Sequence, residues 1–230
     1  MHPTVKDISS NGTDTHNFYS GQWWRKFHLP SSEFKDTSDG LQIPLGGEIS
    51  TASNKSQPGA LPLIDSSRSF KVEFQVKLSS NDPDHWPAVW IMPIEHNGAH
   101  TDQYPGRPKD YEKWVEIDVD EGGFAKTGTH GVIINWEGKW PGYQRTRIYG
   151  PGTSAIPLDR TAWHTFGFSY VANRHKARWW LDGIATPEYD VDWMPSHHYY
   201  IIAGAGSHVK NIPYYMYIRN ITLYSSRNPA

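Results

Sequence analysis

The sequence predicts an all-β fold of two stacked antiparallel sheets, a β-sandwich or jelly roll. Three observations support this prediction. No segment of helical length repeats its apolar residues with a helical period. Short apolar runs bounded by Gly, Pro, Asn and Asp recur along the whole chain. The chain also contains 11 Trp, 13 Tyr and 8 Phe, which are residue types enriched in strands.

The alternation of apolar and polar residues locates the strands. In residues 69–78, Phe70, Val72 and Phe74 alternate with Lys71 and Glu73, which predicts a strand with one buried and one solvated face. Residues 172–175 and the pair at 182–183 read as tight turns between neighbouring strands. The predicted strands cover residues 41–43, 69–78, 88–93, 114–120, 129–135, 163–171, 177–181, 199–203 and 214–224.

The bulk composition limits domain count and partners. A chain of 230 residues suits one domain, 1–230, in which we expect residues 1–20 to be loosely ordered. The formal net charge of −2 provides no basic field for nucleic acid or an anionic membrane, so we expect neither partner. Cysteine is absent, which excludes disulfides and thiolate chemistry.

Location and cofactors follow from what the sequence lacks. No apolar run reaches the length of a membrane span, and the first residues lack the apolar region of a signal peptide. The protein is therefore either intracellular or made with a signal peptide that is not part of this sequence. We expect the second, a secreted, extracellular monomer. The 12 His show no paired metal-ligand spacing. We therefore expect no cofactor and no metal in the site, while a structural calcium ion cannot be read from sequence.

Four carboxylates crowd into residues 116–121, and they carry the strongest chemical signal in the chain. Glu116, Asp118, Asp120 and Glu121 alternate with Ile and Val, which stiffen a strand. Carboxylates this close repel one another, and such crowding separates their pKa values into an acid and a base. The alternatives are a solvated strand edge or a calcium-binding run, although calcium loops favour flexible Gly- and Asn-rich spacing.

The spacing Glu116-x-Asp118-x-x-Glu121 resembles the signature of glycoside hydrolase family 16, the endo-acting β-glucanase and galactanase family with a β-jelly-roll fold. Four further pieces fall in the family's order and extend the resemblance over roughly residues 68–225. They are Trp-Pro-Ala-Val-Trp-Ile-Met-Pro at 86–93, His-Gly at 130–131, Trp-His-Thr-Phe-Gly at 163–167 and Arg-Trp-Trp-Leu-Asp-Gly at 178–183.

The resemblance implies roles for the acids. Glu116 would be the nucleophile, Asp118 the residue that tunes it, and Glu121 the general acid/base of a retaining hydrolase. In a regular strand Glu121 points away from the other two, so these roles require a β-bulge near Val119 or Asp120. If the strand is regular, Asp120 is the alternative acid.

Two positions depart from the family pattern. Val115 stands where members usually have Gly, and residues 131–136 lack a second His that many members carry. Asn135 is both donor and acceptor and would substitute for that His, or it simply ends a strand.

Aromatic residues near the acidic strand are candidates for sugar binding. Trp86 and Trp90 share one strand face by their spacing, with core packing as the alternative for both. Trp136 and Trp140 flank residues 137–139 within an apparent loop at 136–143, and a long loop is predicted at 94–113. The candidate substrate-binding residues are Trp86, Trp90, His130, Asn135, Trp136, Trp140 and Arg145, where Arg145 and its neighbour Arg147 either contact sugar hydroxyls or sulfates or solvate an edge strand.

The resemblance, together with the crowded acids and the aromatic residues, implies an endo-acting retaining β-glycosidase, a β-sandwich jelly roll with an open substrate cleft. The first expected substrate is a β-1,3-glucan of the laminarin type, and an agar- or carrageenan-type galactan is the second. A non-catalytic glycan-binding lectin with the same fold is the third hypothesis. The intact acids argue against it, because a binding module has no need for crowded like charges.

Overall fold

The computed structural model describes residues 5–7, 18–24, 28–54, 57–96, 106–122, 128–139, 141–150, 156–208 and 212–226. Within these residues the chain forms twenty strands and two single-turn 3₁₀ helices, Ser31–Glu33 and Ala172–Arg174. No helix in this part of the chain has the length and hydrophobicity needed to cross a bilayer. The strands are β1 Val5–Asp7, β2 Phe18–Ser20, β3 Lys35–Thr37, β4 Gly40–Pro44, β5 Glu48–Ser50, β6 Ala52–Asn54, β7 Gln57–Pro58, β8 Ile64–Asp65, β9 Phe70–Leu78, β10 His85–Pro93, β11 Tyr111–Glu121, β12 Gly128–Lys139, β13 Gln144–Tyr149, β14 Ile156–Pro157, β15 His164–Val171, β16 Lys176–Leu181, β17 Ile184–Ala185, β18 Tyr189–Asp190, β19 His198–Ser207 and β20 Tyr215–Ser225.

Two large sheets stack face to face, as the sequence predicts. The first, the cleft sheet, has the strand order β1-β2-β5-β19-β10-β11-β12-β13, with β8 also paired to β19 and β14 to β12. The second, the back sheet, has the order β17-β16-β15-β9-β20-β4-β3, with β18 beside β16. Neighbouring strands are antiparallel except for β1 and β2. Strands β6 and β7 form a separate small hairpin.

The main apolar core fills the space between the sheets. Along β9, every second side chain from Phe70 to Leu78 is buried and the intervening ones are partly exposed, which is the alternation that the sequence predicts. Facing residues of the cleft sheet, among them Val89, Val115 and Ile117, are fully buried in the same cluster. A second, smaller apolar cluster around Trp114 and Met92 lies on the other face of the cleft sheet.

All nine predicted strands are present, and most extend beyond their predicted ends. The extension corrects two loop predictions. Residues 111–113 belong to β11, and residues 136–139 belong to β12. Residues 97–105 of the first predicted loop lie outside the described residues. The prediction of a loose N-terminus is wrong for Phe18–Ser20, whose side chains are all buried against β5.

The two predicted turns are confirmed in their backbone geometry. His175 closes the 172–175 connection in the left-handed region, with φ of 50°. Asp182 and Gly183 have φ of 49° and 81°. Positive φ at both central positions is what a two-residue turn matched to strand twist requires.

Candidate active site

A β-bulge interrupts β11 at the position where the acids need it. Against β10, Trp90 pairs with Asp118 and Val89 pairs with Asp120, so Val119 is an extra residue on β11. Against β12, Val132 pairs with Asp118 and His130 pairs with Glu121, again with two residues opposite one. The bulge expected near Val119 or Asp120 is therefore confirmed.

The bulge sorts the carboxylates onto two faces of the sheet. Glu116, Asp118 and Glu121 all line the cleft. Val119 packs in the core between the sheets, and Asp120 pairs with the core residue Val89. Two successive side chains thus point inward, and the alternation restarts with Glu121 on the cleft face. Three of the four crowded acids converge on one surface.

Asp120 is held in the interior by Arg160, a residue in the connection between β14 and β15. Arg160 Nη1 and Nη2 donate to the two carboxylate oxygens of Asp120, each at 2.7 Å, and Thr129 Oγ1 donates to Oδ1 at 2.6 Å. Asp120 is 0% exposed and Arg160 is 1% exposed. Asp120 as the alternative acid is wrong, because its carboxylate faces the core and is fully paired.

Trp179 of the back sheet supports the bulge from the opposite side. Its Nε1 donates to the backbone carbonyl of Asp118 at 2.9 Å. The indole ring lies against Gly131 and Gly150, where an added Cβ would come within 2.2 Å and 2.3 Å of ring atoms. Glycine at 131, directly opposite the bulge, is therefore what lets the ring reach Asp118.

Hydrogen-bond donors orient both glutamates of the cleft. Trp136 Nε1 donates to Glu116 Oε2 at 2.8 Å. Trp86 Nε1 donates to Glu121 Oε1 at 3.0 Å, and His130 Nε2 lies 3.2 Å from Glu121 Oε2. Three of the residues proposed from sequence as substrate-binding therefore contact the carboxylates directly.

Asp118, between the two glutamates, is in a different electrostatic state. Burial raises the pKa of its carboxyl well above the ordinary value, and the negative charges of Glu116 and Glu121 raise it further. The protonated form of Asp118 is therefore favoured at a pH where an exposed aspartate is ionised. This reduces repulsion at the centre of the triad.

The cleft above the acids has a volume of about 680 Å³. Its lining crosses the sheet from β5 through β19 and β10 to β11. Aromatic rings form a continuous stack at the Glu116 end, where His96 and Trp114 lie 4.1 Å apart and Trp114 and Trp136 lie 5.0 Å apart between ring centroids. Small residues form the other end, namely Gly46, Gly47, Gly204, Ala205 and Gly206.

Several cleft residues were not identified from the sequence. Trp114 lies two residues before Glu116 on the same strand face, so the period of two was a sufficient signal for it. Gln22, Glu48 and His96 enter the cleft from segments distant in sequence, and no local pattern marks them.

The remaining predicted binding residues have separate outcomes. Trp86, 38% exposed, and Trp90 line the cleft, where Trp90 also packs partly against the second apolar cluster. Arg145 lies on edge strand β13 with its guanidinium 4.8 Å from the Trp136 ring. Trp140 lies outside the described residues.

Asn135 does not belong to the cleft. It pairs with Val115, whose side chain is in the core, so it lies on the face opposite Glu116. Its side chain is buried, and Oδ1 has no hydrogen-bond partner in the described part of the chain. The expectation that Asn135 substitutes for a substrate-binding His is wrong, because its register turns it inward.

The described residues were also compared with the requirements of a metal site. No group of three or more His, Cys, Asp or Glu side chains there is arranged to hold a metal ion.

Comparison with known proteins gives matches to structures alone. No family model and no curated protein matches the chain. A glycoside hydrolase family 16 endo-glucanase from Bacteroides ovatus is 14% identical, with 92% of this chain and 97% of that chain covered at a TM-score of 0.59. The laminarinase catalytic domain from Thermotoga maritima is 16% identical over 85% and 81%, with a TM-score of 0.53.

A third similar structure, the kappa-carrageenase from Pseudoalteromonas carrageenovora, is 14% identical over 90% of this chain and 89% of that chain, with a TM-score of 0.53. The structural neighbours are thus family 16 enzymes that differ in their named substrates. At this level of identity the comparison shows a shared fold, the jelly-roll sandwich predicted from sequence.

Proposed function

We propose that the chain is an endo-acting β-glycosidase that hydrolyses a β-linked polysaccharide with retention of configuration. One observation carries the proposal: the bulge in β11 brings Glu116, Asp118 and Glu121 onto the floor of a single cleft. Double displacement at a glycosidic carbon uses two carboxyl groups that face the same substrate, one as nucleophile and one as acid and base, and the shared face of Glu116 and Glu121 supports these roles.

We assign a residue to each step of the proposed reaction. Glu121 donates a proton to the glycosidic oxygen while a Glu116 oxygen attacks the anomeric carbon, and the glycosidic bond breaks. Glu121, now ionised, takes a proton from water, which attacks the anomeric carbon and releases Glu116. The N–H groups of Trp136 and Trp86 hold the two carboxylates in orientation. Asp118, when protonated, adds no charge between them.

A β-1,3-glucan is the first substrate that we propose. The cleft floor covers four neighbouring strands, about 14 Å at ordinary strand spacing, which is longer than one pyranose ring. The rings of Trp86 and Trp90 offer flat apolar surfaces to sugar faces. Gln22 and Trp114 line the same cleft and add an amide and a third indole ring to its surface.

A sulfated galactan is the second candidate, and the edge strand β13 favours it. Arg145 and Arg147 pair with Trp136 and Ile134, which places both guanidinium groups on the cleft face. Both arginines are exposed. Sulfate groups of a galactan bound across β12 would meet them, and guanidinium is well suited to bind such oxyanions.

The test is product formation on a panel of purified polysaccharides. Laminarin, mixed-linkage glucan, agarose and carrageenan are incubated with wild type and with Glu116→Gln, and release of reducing ends is measured. Early NMR spectra of the products give the anomeric configuration. Activity on laminarin with β products supports the proposal. Binding of a polysaccharide with no hydrolysis of any would indicate the lectin alternative.

We also infer that the protein acts outside the cell, because a long polysaccharide does not enter a cell. We further infer that it acts as a monomer, without a nucleic acid or membrane partner. Size-exclusion chromatography coupled to light scattering tests the oligomeric state, with a dimer mass as the contradicting result.

A further inference from the structure

The Asp120–Arg160 pair raises a question that stability alone does not answer. Both side chains are almost completely buried, and together they make a bidentate pair with each bond at 2.7 Å. Removing two charges from water is expensive, and apolar residues of similar volume often replace a buried ion pair without loss of stability. The pair therefore calls for a role besides stability.

The surroundings of Arg160 make it a fixed point in the interior. Its backbone N–H donates to Asn81 Oδ1 at 2.7 Å, and its carbonyl accepts from Leu78 N–H at 2.6 Å. Its Nη1 also donates to the carbonyl of Gly128, and its guanidinium lies 5.1 Å from the Phe166 ring centroid. Arg160 thereby connects the end of β9, the start of β12 and β15 to a single position on β11.

That position decides which acid faces the substrate. The alternative to the bulged arrangement near the end of β11 is a regular strand. In the bulged arrangement, Asp120 points inward and Glu121 points to the cleft, whereas in a regular strand the two exchange faces. Only the bulged arrangement pairs Asp120 with Arg160. An inward Asp120 without a cationic partner would be an uncompensated buried charge, which is strongly unfavourable.

We propose that the Asp120–Arg160 pair is a positioning device that selects the bulged arrangement and so holds Glu121 on the cleft face. The inference rests on the proposed function, since it assigns Arg160 a role in general acid catalysis at that site. Arg160 is a positioning residue and not a catalytic one, because it contacts Asp120 from the core side and does not line the cleft.

The experiment compares two substrates that differ in their need for an acid. Polysaccharide cleavage requires Glu121 to protonate the leaving oxygen. A dinitrophenyl glycoside does not: Glu116 attacks the anomeric carbon, the C–O bond breaks, and the dinitrophenolate leaves as a stable anion. The initial burst of dinitrophenolate therefore reports on Glu116 alone. The ratio of polysaccharide turnover to burst rate reports on the acid.

Arg160→Met is expected to lower this ratio by about 100-fold, the order of effect for a misplaced or missing acid, while the burst rate stays close to wild type. The double variant Asp120→Leu with Arg160→Met is expected to return the ratio to within about 3-fold of wild type, because an apolar side chain at position 120 favours the interior and restores the bulge. Arg219→Met is the matched control. Arg219, on β20 of the back sheet, contacts Gln75 and the Trp163 ring, and its loss is expected to leave the ratio unchanged.

A folded Arg160→Met variant with a wild-type ratio would overturn the proposal, since a structural residue lowers both rates together or neither. If Arg160→Met does not fold, Arg160→Lys takes its place, because lysine keeps the charge but cannot form the bidentate fork. It is expected to lower the ratio by about 10-fold, and an unchanged ratio overturns the proposal equally.

A measurement without turnover separates this inference from the proposed function. NMR contacts from the Glu121 side chain show whether it faces Trp86 and His130 or the core. We expect the cleft position in wild type and its loss in Arg160→Met. If wild type cleaves no glycan and releases no dinitrophenolate, the proposed function fails, while the position of Glu121 in the variant still tests the positioning role.

Discussion

Asp118 and Asp120 are two residues apart on one strand, and both are buried, yet they are in opposite electrostatic situations. Asp118 lies on the cleft face between two glutamates, and its pKa is raised by burial and by their charges. Asp120 lies on the core face and accepts hydrogen bonds from Arg160 and Thr129. Because both residues are buried aspartates, the difference comes from their neighbours, which are two like charges for Asp118 and a cation for Asp120.

The same contrast holds for the two faces of β11 as a whole. The cleft face presents Trp114, Glu116 and Asp118, and the core face presents Val115 and Ile117. Changes on the cleft face should alter activity with little loss of stability, and changes on the core face should do the reverse.

The largest effect is expected for Glu116→Gln. Turnover should fall by at least about 10⁴-fold, because the covalent intermediate cannot form. The amide keeps an oxygen that accepts from Trp136 Nε1, so the melting temperature should change little. Steady-state kinetics and thermal unfolding check both parts. Residual activity above about 10% of wild type would remove Glu116 from the nucleophile role.

Asp120→Ala is the core-face counterpart. It leaves the Arg160 guanidinium buried without its carboxylate, and loss of one partner of a buried pair costs about 3–5 kcal/mol. Urea unfolding should show this loss. Glu116→Gln is the matched comparison on the same strand. Equal stability of the two variants would mean that the faces of β11 do not differ as described.

Trp136→Phe should have a smaller effect, confined to catalysis. It removes the N–H that orients Glu116 but keeps an aromatic ring against Trp114. We expect kcat to fall by about 10-fold, which corresponds to about 1.4 kcal/mol in the barrier. Trp180→Phe removes an equivalent N–H bond to Ser169 on the back sheet and should leave kcat unchanged. A similar decrease in both variants would indicate a general packing effect.

The smallest effect is expected for Asp118→Asn, and its sign is opposite to that of Asp120→Ala. Because the pKa of Asp118 is raised in the folded state, the folded protein holds a proton that the unfolded chain has released. Stability from this group therefore falls as the pH rises from the ordinary aspartate range through the raised pKa.

The side chain of the Asp118→Asn variant is an uncharged amide, so the variant does not show this fall in stability with rising pH. At neutral pH we expect a melting temperature higher by about 2–4 °C, the shift that about 1 kcal/mol gives in a domain of this size. Below the ordinary aspartate pKa the two proteins should melt alike. A variant that is less stable than wild type at neutral pH would show that Asp118 is held ionised by a partner.

The sequence predicted strand positions and side-chain faces correctly where the residue types and the period of a strand point to the same arrangement. Alternation located β9, and the bulge was predicted from the roles that the family resemblance implies for the acids, set against the period of a strand. The period of two also placed Trp86 and Trp90 on one face correctly. Such features depend on neighbours along the chain.

Features that depend on pairing across the sandwich were not readable. Asp120 and Arg160 are 40 residues apart, and nothing in the local sequence connects them. Asn135 was misplaced because the identity of its partner, Val115, fixes its face, and register is a tertiary property. Gln22 reaches the cleft because the N-terminal strand β2 joins β5, a pairing with no sequence signature.

The close contact of Trp179 with Gly131 and Gly150 also constrains how this protein can change over evolutionary time. A side chain at 131 or 150 collides with the indole, so neither glycine is free to mutate while Trp179 is present. If Trp179 is replaced first, its hydrogen bond to the Asp118 carbonyl is lost, but space opens beside both glycines. The accessible mutational route is therefore ordered, with the tryptophan changing before either glycine, and variants that reverse this order should be lost.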